Sequence, residues 1–238
     1  PKAAAWLRES LASSTRSGNR RFTLQTRILL GGVLSRQGDH AGALAILAPT
    51  VEESRALNDV AMGASAWNAL GNARLAGNRL VEAAEGFRQA LAMAGRADEA
   101  VRVAHQGLGD AARRGGRLAE AATHYAAAIA SIESVRGRLA SADFRTSFLS
   151  GSFDAYDHMV ALLARQSRAR EALEYAERGR ARVLLDRVGA TRAAEPLSAQ
   201  RLQRAAARAG AVLLEYWLGE SGSWVWAVDG ESITVAPL

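Results

Sequence analysis

From about Phe22 to Val188, apolar residues recur at the spacing of amphipathic helices, and Ala and Leu dominate among them. Short breaks interrupt this pattern, and each contains Gly or a small polar residue that can end a helix with positive φ. They are Gln37-Gly38-Asp39, Gly77-Asn78, Gly115-Gly116, Gln166-Ser167 and a further break near Ser141-Ala142-Asp143. The pattern predicts an all-α region of helices joined by short turns.

Three segments of this region align with one another, and the pattern returns first 40 and then 38 residues later. Each segment has a Leu-Gly pair in its first helix, an Ala twelve residues after that Gly, and a bulky residue four positions further on. The three sets are Gly31, Ala43 and Leu47; Gly71, Ala83 and Phe87; and Gly109, Ala121 and Tyr125. Small residues let two helix backbones approach, and the bulky residue fills the gap beside them. Stacked units of this kind predict an α-solenoid, with a fourth, weaker unit from Tyr156 to Ala176.

The repeat pattern resembles the tetratricopeptide repeat over about two-thirds of the chain. Trp67 stands where that family often has a tryptophan early in the first helix. The period is longer than the usual 34 residues, which implies longer helices, and no proline closes the repeats. The resemblance implies a scaffold that binds a protein or peptide.

The pattern changes after Val188. A linker is expected at 189–196, followed by a helix from Leu197 to Ala209. Alternating apolar residues then predict three strands, at Ala211–Leu218, Trp224–Val228 and Ser232–Ala236, with Asp229-Gly230 as a tight hairpin signal. We interpret this short β-meander as the start of a second α/β domain that the chain truncates.

The C-terminal half resembles the CHAT family, bacterial proteins in which tetratricopeptide repeats precede a caspase-like cysteine peptidase domain. The resemblance covers roughly residues 128–238 and rests on Arg145, Phe148 and Leu149, the Glu171-Ala172-Leu173 and Arg180-Ala181-Arg182 runs, and the strands Leu213–Tyr216 and Val225–Val228. It implies a His and Cys dyad downstream of these strands. This sequence has no Cys and no His after His158, so no catalytic role passes to any of its residues and we expect no enzyme activity from it.

The predicted organisation therefore has four parts: a remnant helix of a preceding repeat at 1–21, the solenoid at 22–188, the linker at 189–196, and an incomplete CHAT-like region at 197–238. Within the first part, Ala3 to Leu11 is expected to be helical and Ser13 to Asn19 to form a loop. The repeats would regulate a CHAT-type peptidase. The alternative is a structural platform for a caspase-like protease whose catalytic part is absent from this chain.

Composition limits the other functions. The chain is 49% hydrophobic and 23% charged, as in soluble globular proteins, and no apolar run approaches the length of a membrane span. We expect a cytoplasmic protein. The net charge of +6 comes almost wholly from arginines interleaved with Glu and Asp, and only 6% of residues are aromatic. Solvated helix faces have this character, so we expect no nucleic-acid role.

No cofactor or metal site is expected. The four histidines, His40, His105, His124 and His158, include no pair at the i, i+4 spacing that places two ligands on one helical face. Asp154, Asp157 and His158 fall within one helical turn, which suits a solvated face better than acid-base catalysis.

The predicted binding surface is the inner wall of the solenoid, built from first-helix residues that point away from the second helix. Asn offers donors and acceptors to a peptide backbone, and Arg binds carboxylates bidentately. The alternative is that these are ordinary exposed helix residues. The set is Gln25, Arg36, Asn68, Asn72, Gln106, Asp110, Arg113, Arg114, Asp157 and Arg165. A homo-oligomer through the unpaired C-terminal strands is a further expectation.

Overall fold

The computed structural model describes residues 2–95, 98–138, 153–188 and 197–238. The chain divides into two compact units, Pro1–Ser131 and Ile132–Leu238. The predicted break near Ser141 and the linker at 189–196 lie outside the described residues, as do Arg145, Phe148 and Leu149.

The first unit is a series of antiparallel helices in which each helix from α1 to α5 packs on the next, and Tyr125 of α7 bonds to Asp110 of α6. In addition, α4 packs against both α2 and α6, so the first helices of the three repeats lie in one layer. The helices are α1 Lys2–Arg16, α2 Arg20–Arg36, α3 His40–Ala56, α4 Val60–Ala76, α5 Leu80–Ala94, α6 Asp98–Arg114 and α7 Leu118–Arg138, the last of which continues past the unit's end.

The turn inside each repeat is the same in all four copies. Gly38, Asn78, Gly116 and Ser167 have φ angles of 85°, 59°, 76° and 57°. In each copy the next residue's N–H donates to the carbonyl five positions back, as from Asp39 to Leu34 at 3.0 Å. This is the hydrogen bond that ends a helix at a left-handed residue. The predicted turn positions are therefore confirmed.

The predicted packing inside each repeat is also confirmed. All three small second-helix residues and all three bulky ones are fully buried: Ala43, Ala83, Ala121, Leu47, Phe87 and Tyr125. Each bulky side chain lies directly over the glycine of the first helix. A Cβ atom added to Gly31 would be 2.5 Å from Cγ of Leu47, and one added to Gly109 would be 2.5 Å from Cε1 of Tyr125. The helix pair therefore has no room for a side chain at these glycines.

The second unit combines helices with a small antiparallel sheet of order β1-β2-β3. Its elements are α8 Phe153–Arg165, α9 Ala169–Val188, α10 Ala199–Ala209, β1 Leu213–Gly219, β2 Gly222–Val228 and β3 Ile233–Pro237. Helices α8 and α9 pack together, and the sheet packs against α8, α9 and α10. Trp217, Trp224 and Trp226 are buried on its helix-facing side, and Nε1 of Trp226 donates to the carbonyl of Ala169 at 2.9 Å.

The predicted fold class, a helical repeat solenoid with a C-terminal β-meander, is confirmed. Two details differ. Helix α1 extends to Arg16 where a loop from Ser13 was expected, and the hydroxyl of Thr15 donates to the Leu11 carbonyl within that last turn. The turn after β2 is closed by the carboxylate of Asp229, which accepts from the N–H groups of Glu231 and Ser232, rather than by a positive φ at Gly230.

The boundary between the two compact units lies between Ser131 and Ile132. Within the second unit, the sheet packs on α8 and α9 and so joins the predicted fourth repeat to the strands. The predicted four-part organisation stays a prediction.

Candidate functional site

The candidate surface is the exposed side of the layer formed by α2, α4 and α6, which we call the α2-α4-α6 face. On the middle helix this face carries only short side chains. Ala61, Ser65, Asn72 and Ala76 are exposed and Ala69 is half-buried, at spacings that place them along one side of α4. The α2 and α6 residues described below are longer, and we call the strip of short α4 side chains between them the trough.

The two edges of the trough differ in chemistry. On α2, Phe22 and Leu29 are large hydrophobic residues left 47% and 54% exposed, and Gln25 lies between them. Arg36 is exposed at the end of the same helix. On α6 the C-terminal part of the corresponding edge is polar and includes Asp110 and Arg113, both half-buried.

Asp110 and Arg113 are held in position by a residue of the second helix. The hydroxyl of Tyr125 donates to Oδ1 of Asp110 at 2.7 Å and accepts from Nε of Arg113 at 3.1 Å. Burial and the neighbouring Asp110 carboxylate raise the pKa of the Tyr125 hydroxyl, so it stays protonated and keeps donating. The polar edge is thus ordered before any partner binds.

Two other predicted residues on α6 are engaged within the unit. Gln106 is half-buried, and its Oε1 accepts from Nη1 of Arg102 at 2.9 Å. Arg114 is exposed, and its Nη1 donates to the carbonyl of Leu75 in the last turn of α4 at 2.9 Å. Arg114 therefore links the second repeat to the third.

Asn68 does not lie on an open surface, and the prediction that placed it there is corrected. It is only 5% exposed, and its Nδ2 donates to the carbonyl of Ala100 in α6 at 2.9 Å. Its position on α4 points toward the neighbouring repeat, so it fastens α4 to α6. Asn72, one turn further along, is exposed as expected.

Asp157 is likewise corrected, because it is 4% exposed and already bonded inside the second unit. Its two carboxylate oxygens accept from Nε1 of Trp217 and from the N–H of Ser221, both at 2.8 Å. Arg165 donates to the carbonyl of the same Ser221 at 2.6 Å. The two residues hold the β1-β2 hairpin on α8. The prediction that Asp157 belongs to a solvated face is wrong for the same reason.

A buried charged group on α9 lies beside the sheet. Arg180 pairs with Glu177 through Nη2 and Oε1 at 3.0 Å and also with Glu215 of β1. Glu177 is 8% exposed, and its burial raises the pKa of its carboxyl group. The nearby Arg180 lowers this pKa, and the Glu215 carboxylate raises it further. No feature of the sequence pattern had marked this group.

Two histidines that are distant in the sequence lie side by side in the structure. His105 of α6 and His124 of α7 are both half-buried, and their Nδ1 atoms are 3.2 Å apart. Burial lowers the pKa of both imidazoles, and His124 contributes further to the lowering at His105. The sequence pattern gave no sign of the pair because its members lie 19 positions apart on different helices.

The chain resembles solved helical repeat structures. BtubC (BKLC) from P. vanneervenii superimposes with a TM-score of 0.61 and 14% identity, over 84% of this chain and 78% of that one. MamA superimposes with a TM-score of 0.49 and 16% identity, over 81% of this chain and 98% of that one. No protein-family model and no curated protein matches the chain. The first likeness shows a tetratricopeptide-like fold.

Membrane spans and preformed metal clusters are both absent from the described part of the chain. None of its helices has both the length and the apolar character needed to cross a membrane. The same residues contain no cluster of three or more His, Asp or Glu side chains arranged to hold a metal ion.

Proposed function

We propose that the chain is a binding scaffold and that an extended peptide segment of a protein partner lies in the trough of the α2-α4-α6 face. The observation that carries the proposal is the short-chained floor of α4 between two edges of different chemistry. A tetratricopeptide-like fold supports a protein-interaction role in general. Helical repeats present extended surfaces of this kind to their partners.

The two edges suggest what the peptide carries. Phe22 and Leu29 are large exposed apolar side chains, and burying each would favour binding by about 1–2 kcal/mol. Asp110 and Arg113 offer a fixed acceptor and a fixed donor on the opposite side. The proposed ligand is therefore an extended segment with apolar residues along one side and polar or charged residues along the other.

A random peptide display library selected on the whole chain tests this proposal, because such a selection does not require the partner to be identified. The enriched peptides would then be titrated against the unchanged protein and two matched variants. Asn72→Arg fills the trough with a long charged side chain. Ala92→Arg adds the same side chain to an exposed position of α5, which belongs to the other layer.

The expected result is that Asn72→Arg weakens binding of the selected peptides at least about tenfold, since one lost apolar contact of about 1.4 kcal/mol already has this effect. Ala92→Arg should leave the affinity unchanged. Equal affinity for both variants would refute the trough as the binding site, and so would a selection that yields no specific peptide.

The link to a CHAT-type peptidase rests on the sequence resemblance alone, and we propose it on that basis. The repeat region would regulate such a peptidase, or alternatively serve as its structural platform. The packing of β1–β3 on the preceding helices is compatible with either role. Sequencing the gene past the codon for Leu238 is the test. A downstream His followed by a Cys would support the link, and a stop codon at that point would refute it.

A second candidate function, self-association through the sheet, is favoured by one observation. The side of β1 that faces away from the helices carries Leu214, Tyr216 and Leu218, which are 56%, 51% and 75% exposed. Strands with exposed apolar residues at a sheet edge recruit other strands. Light scattering should show a dimer that the double change Leu214→Glu and Leu218→Glu returns to a monomer. A monomeric unchanged protein would exclude this candidate.

A further inference from the structure

The paired histidines of the third repeat have a geometry that the sequence pattern does not explain. Their Nδ1 atoms are 3.2 Å apart, with ring centroids 5.4 Å apart and ring planes tilted by 34°. In the metal-free protein one Nδ1–H donates to the other Nδ1. Both residues are only partly buried.

We propose that Nδ1 of His105 and Nδ1 of His124 together bind one zinc ion or a similar divalent transition-metal ion, which bridges α6 and α7. The separation of the two nitrogens fits this role. Two nitrogen ligands at about 2.0–2.1 Å from a tetrahedral ion lie about 3.3 Å from each other. The two nitrogens are therefore already at about the right separation, and each ring would turn so that its Nδ1 electron pair points at the ion instead of at the other ring. Imidazole nitrogen is a preferred ligand of zinc, copper and nickel.

The protonation state of the pair also suits a metal. Burial disfavours the imidazolium form of both residues, and the neutral ring is the form that coordinates. The neutral donor ring carries its proton on Nδ1, and this proton moves to Nε2 when the ion binds. The other ring already has a free Nδ1 electron pair. Binding of the ion therefore releases no proton to the solvent.

The charges around the pair set its further ligands. Glu120 lies one turn before His124 on α7, and its carboxylate favours positive charge at His124. It now pairs with Nε of Arg117 at 2.7 Å, and we expect its negative charge to favour the bound ion. Water would complete the coordination, since the described residues offer no cluster of three preformed ligands. Arg88 of α5 opposes positive charge at His124 and so opposes the ion.

The experiment is isothermal titration of zinc chloride into the chelator-treated whole chain. One equivalent of ion should bind. His105→Ala and His124→Ala should each weaken binding at least about tenfold, because the loss of a ligand is at least as costly as the loss of its supporting contact. His40→Ala, a change in a half-buried histidine of α3, is the matched control and should have no effect.

Two variants keep the test decisive even if the alanine variants fail to fold, because both retain the histidine pair. Arg88→Gln should tighten zinc binding and Glu120→Gln should weaken it, each by a measurable factor. Absence of a saturable equivalent in the unchanged protein would overturn the proposal. Equal zinc affinity of His105→Ala and His40→Ala would also overturn it. So would a zinc affinity that neither Arg88→Gln nor Glu120→Gln changes.

Discussion

Two adjacent glycines of α2 provide a direct test of how the repeats pack. Gly31 faces α3, where an added Cβ atom would be 2.5 Å from Cγ of Leu47 and 2.7 Å from both of its methyl carbons. Gly32 faces outward, and its added Cβ atom would meet only the guanidinium end of Arg36, at 3.8 Å. Gly31→Ala and Gly32→Ala have identical compositions, yet only the first variant introduces a methyl group into a filled space.

The expected magnitudes follow from two opposing contributions. Replacing Gly by Ala in a helix interior stabilises by about 1 kcal/mol in either position. At Gly31 the added methyl group also displaces Cγ and both methyl groups of Leu47, and overpacking of this kind costs about 1–3 kcal/mol. Gly32→Ala should therefore raise the free energy of unfolding by about 1 kcal/mol. Gly31→Ala should be less stable than Gly32→Ala by about 1–3 kcal/mol, which is the overpacking cost alone.

Urea unfolding followed by far-ultraviolet circular dichroism measures both variants against the unchanged protein. The difference between the two variants isolates packing, because the propensity gain cancels. Equal stability of the two, or greater stability of Gly31→Ala, would refute the close approach of α2 and α3 at Gly31.

Two further predictions concern the second unit. Asp157→Ala leaves Nε1 of Trp217 and the N–H of Ser221 without their acceptor, so we expect the free energy of unfolding to fall by about 2–5 kcal/mol in urea unfolding followed by Trp fluorescence. Arg165→Ala, at an exposed position, should lower it far less. Similar losses for the two variants would contradict the anchoring role of Asp157. The pKa of Glu177 is raised in the folded protein, so the folded protein keeps this proton at pH values where the unfolded chain has lost it. The free energy of unfolding therefore falls as the pH rises from the unfolded pKa through the raised one. Unfolding measured at about pH 4 and about pH 7 should therefore show Glu177→Gln gaining stability relative to the unchanged protein as the pH rises, and a constant difference would contradict the direction of the shift.

The repeat architecture could be predicted from the sequence because its determinants are local. The spacing from Gly31 to Ala43 and Leu47 reports a contact between two helices joined by a short turn, and the same contact recurs at Gly71 and Gly109. A second repeated signal was available in the same turns. Arg79, Arg117 and Arg168 each pair with a Glu three residues later at the start of a second helix.

The candidate surface was harder to predict, because exposure depends on contacts between repeats. Asn68 and Asn72 lie four residues apart on one helix, yet only Asn68 is covered by the following repeat. Asp157 reads as part of a polar turn until the β1-β2 hairpin, which lies far along the chain, supplies its two donors. The histidine pair depends on the register of α6 against α7, which one sequence does not reveal.

The central claim is that a partner protein lies against the α2-α4-α6 face. Site-specific photo-crosslinking in the native host tests it most directly, with a photoreactive residue placed at Ser65 on the floor of the trough or at Ala92 on the other layer. We predict a discrete crosslinked protein from position 65 that is absent from position 92 and is lost when Asn72→Arg is added. The same crosslinked protein from both positions, or its persistence after Asn72→Arg, would contradict the claim.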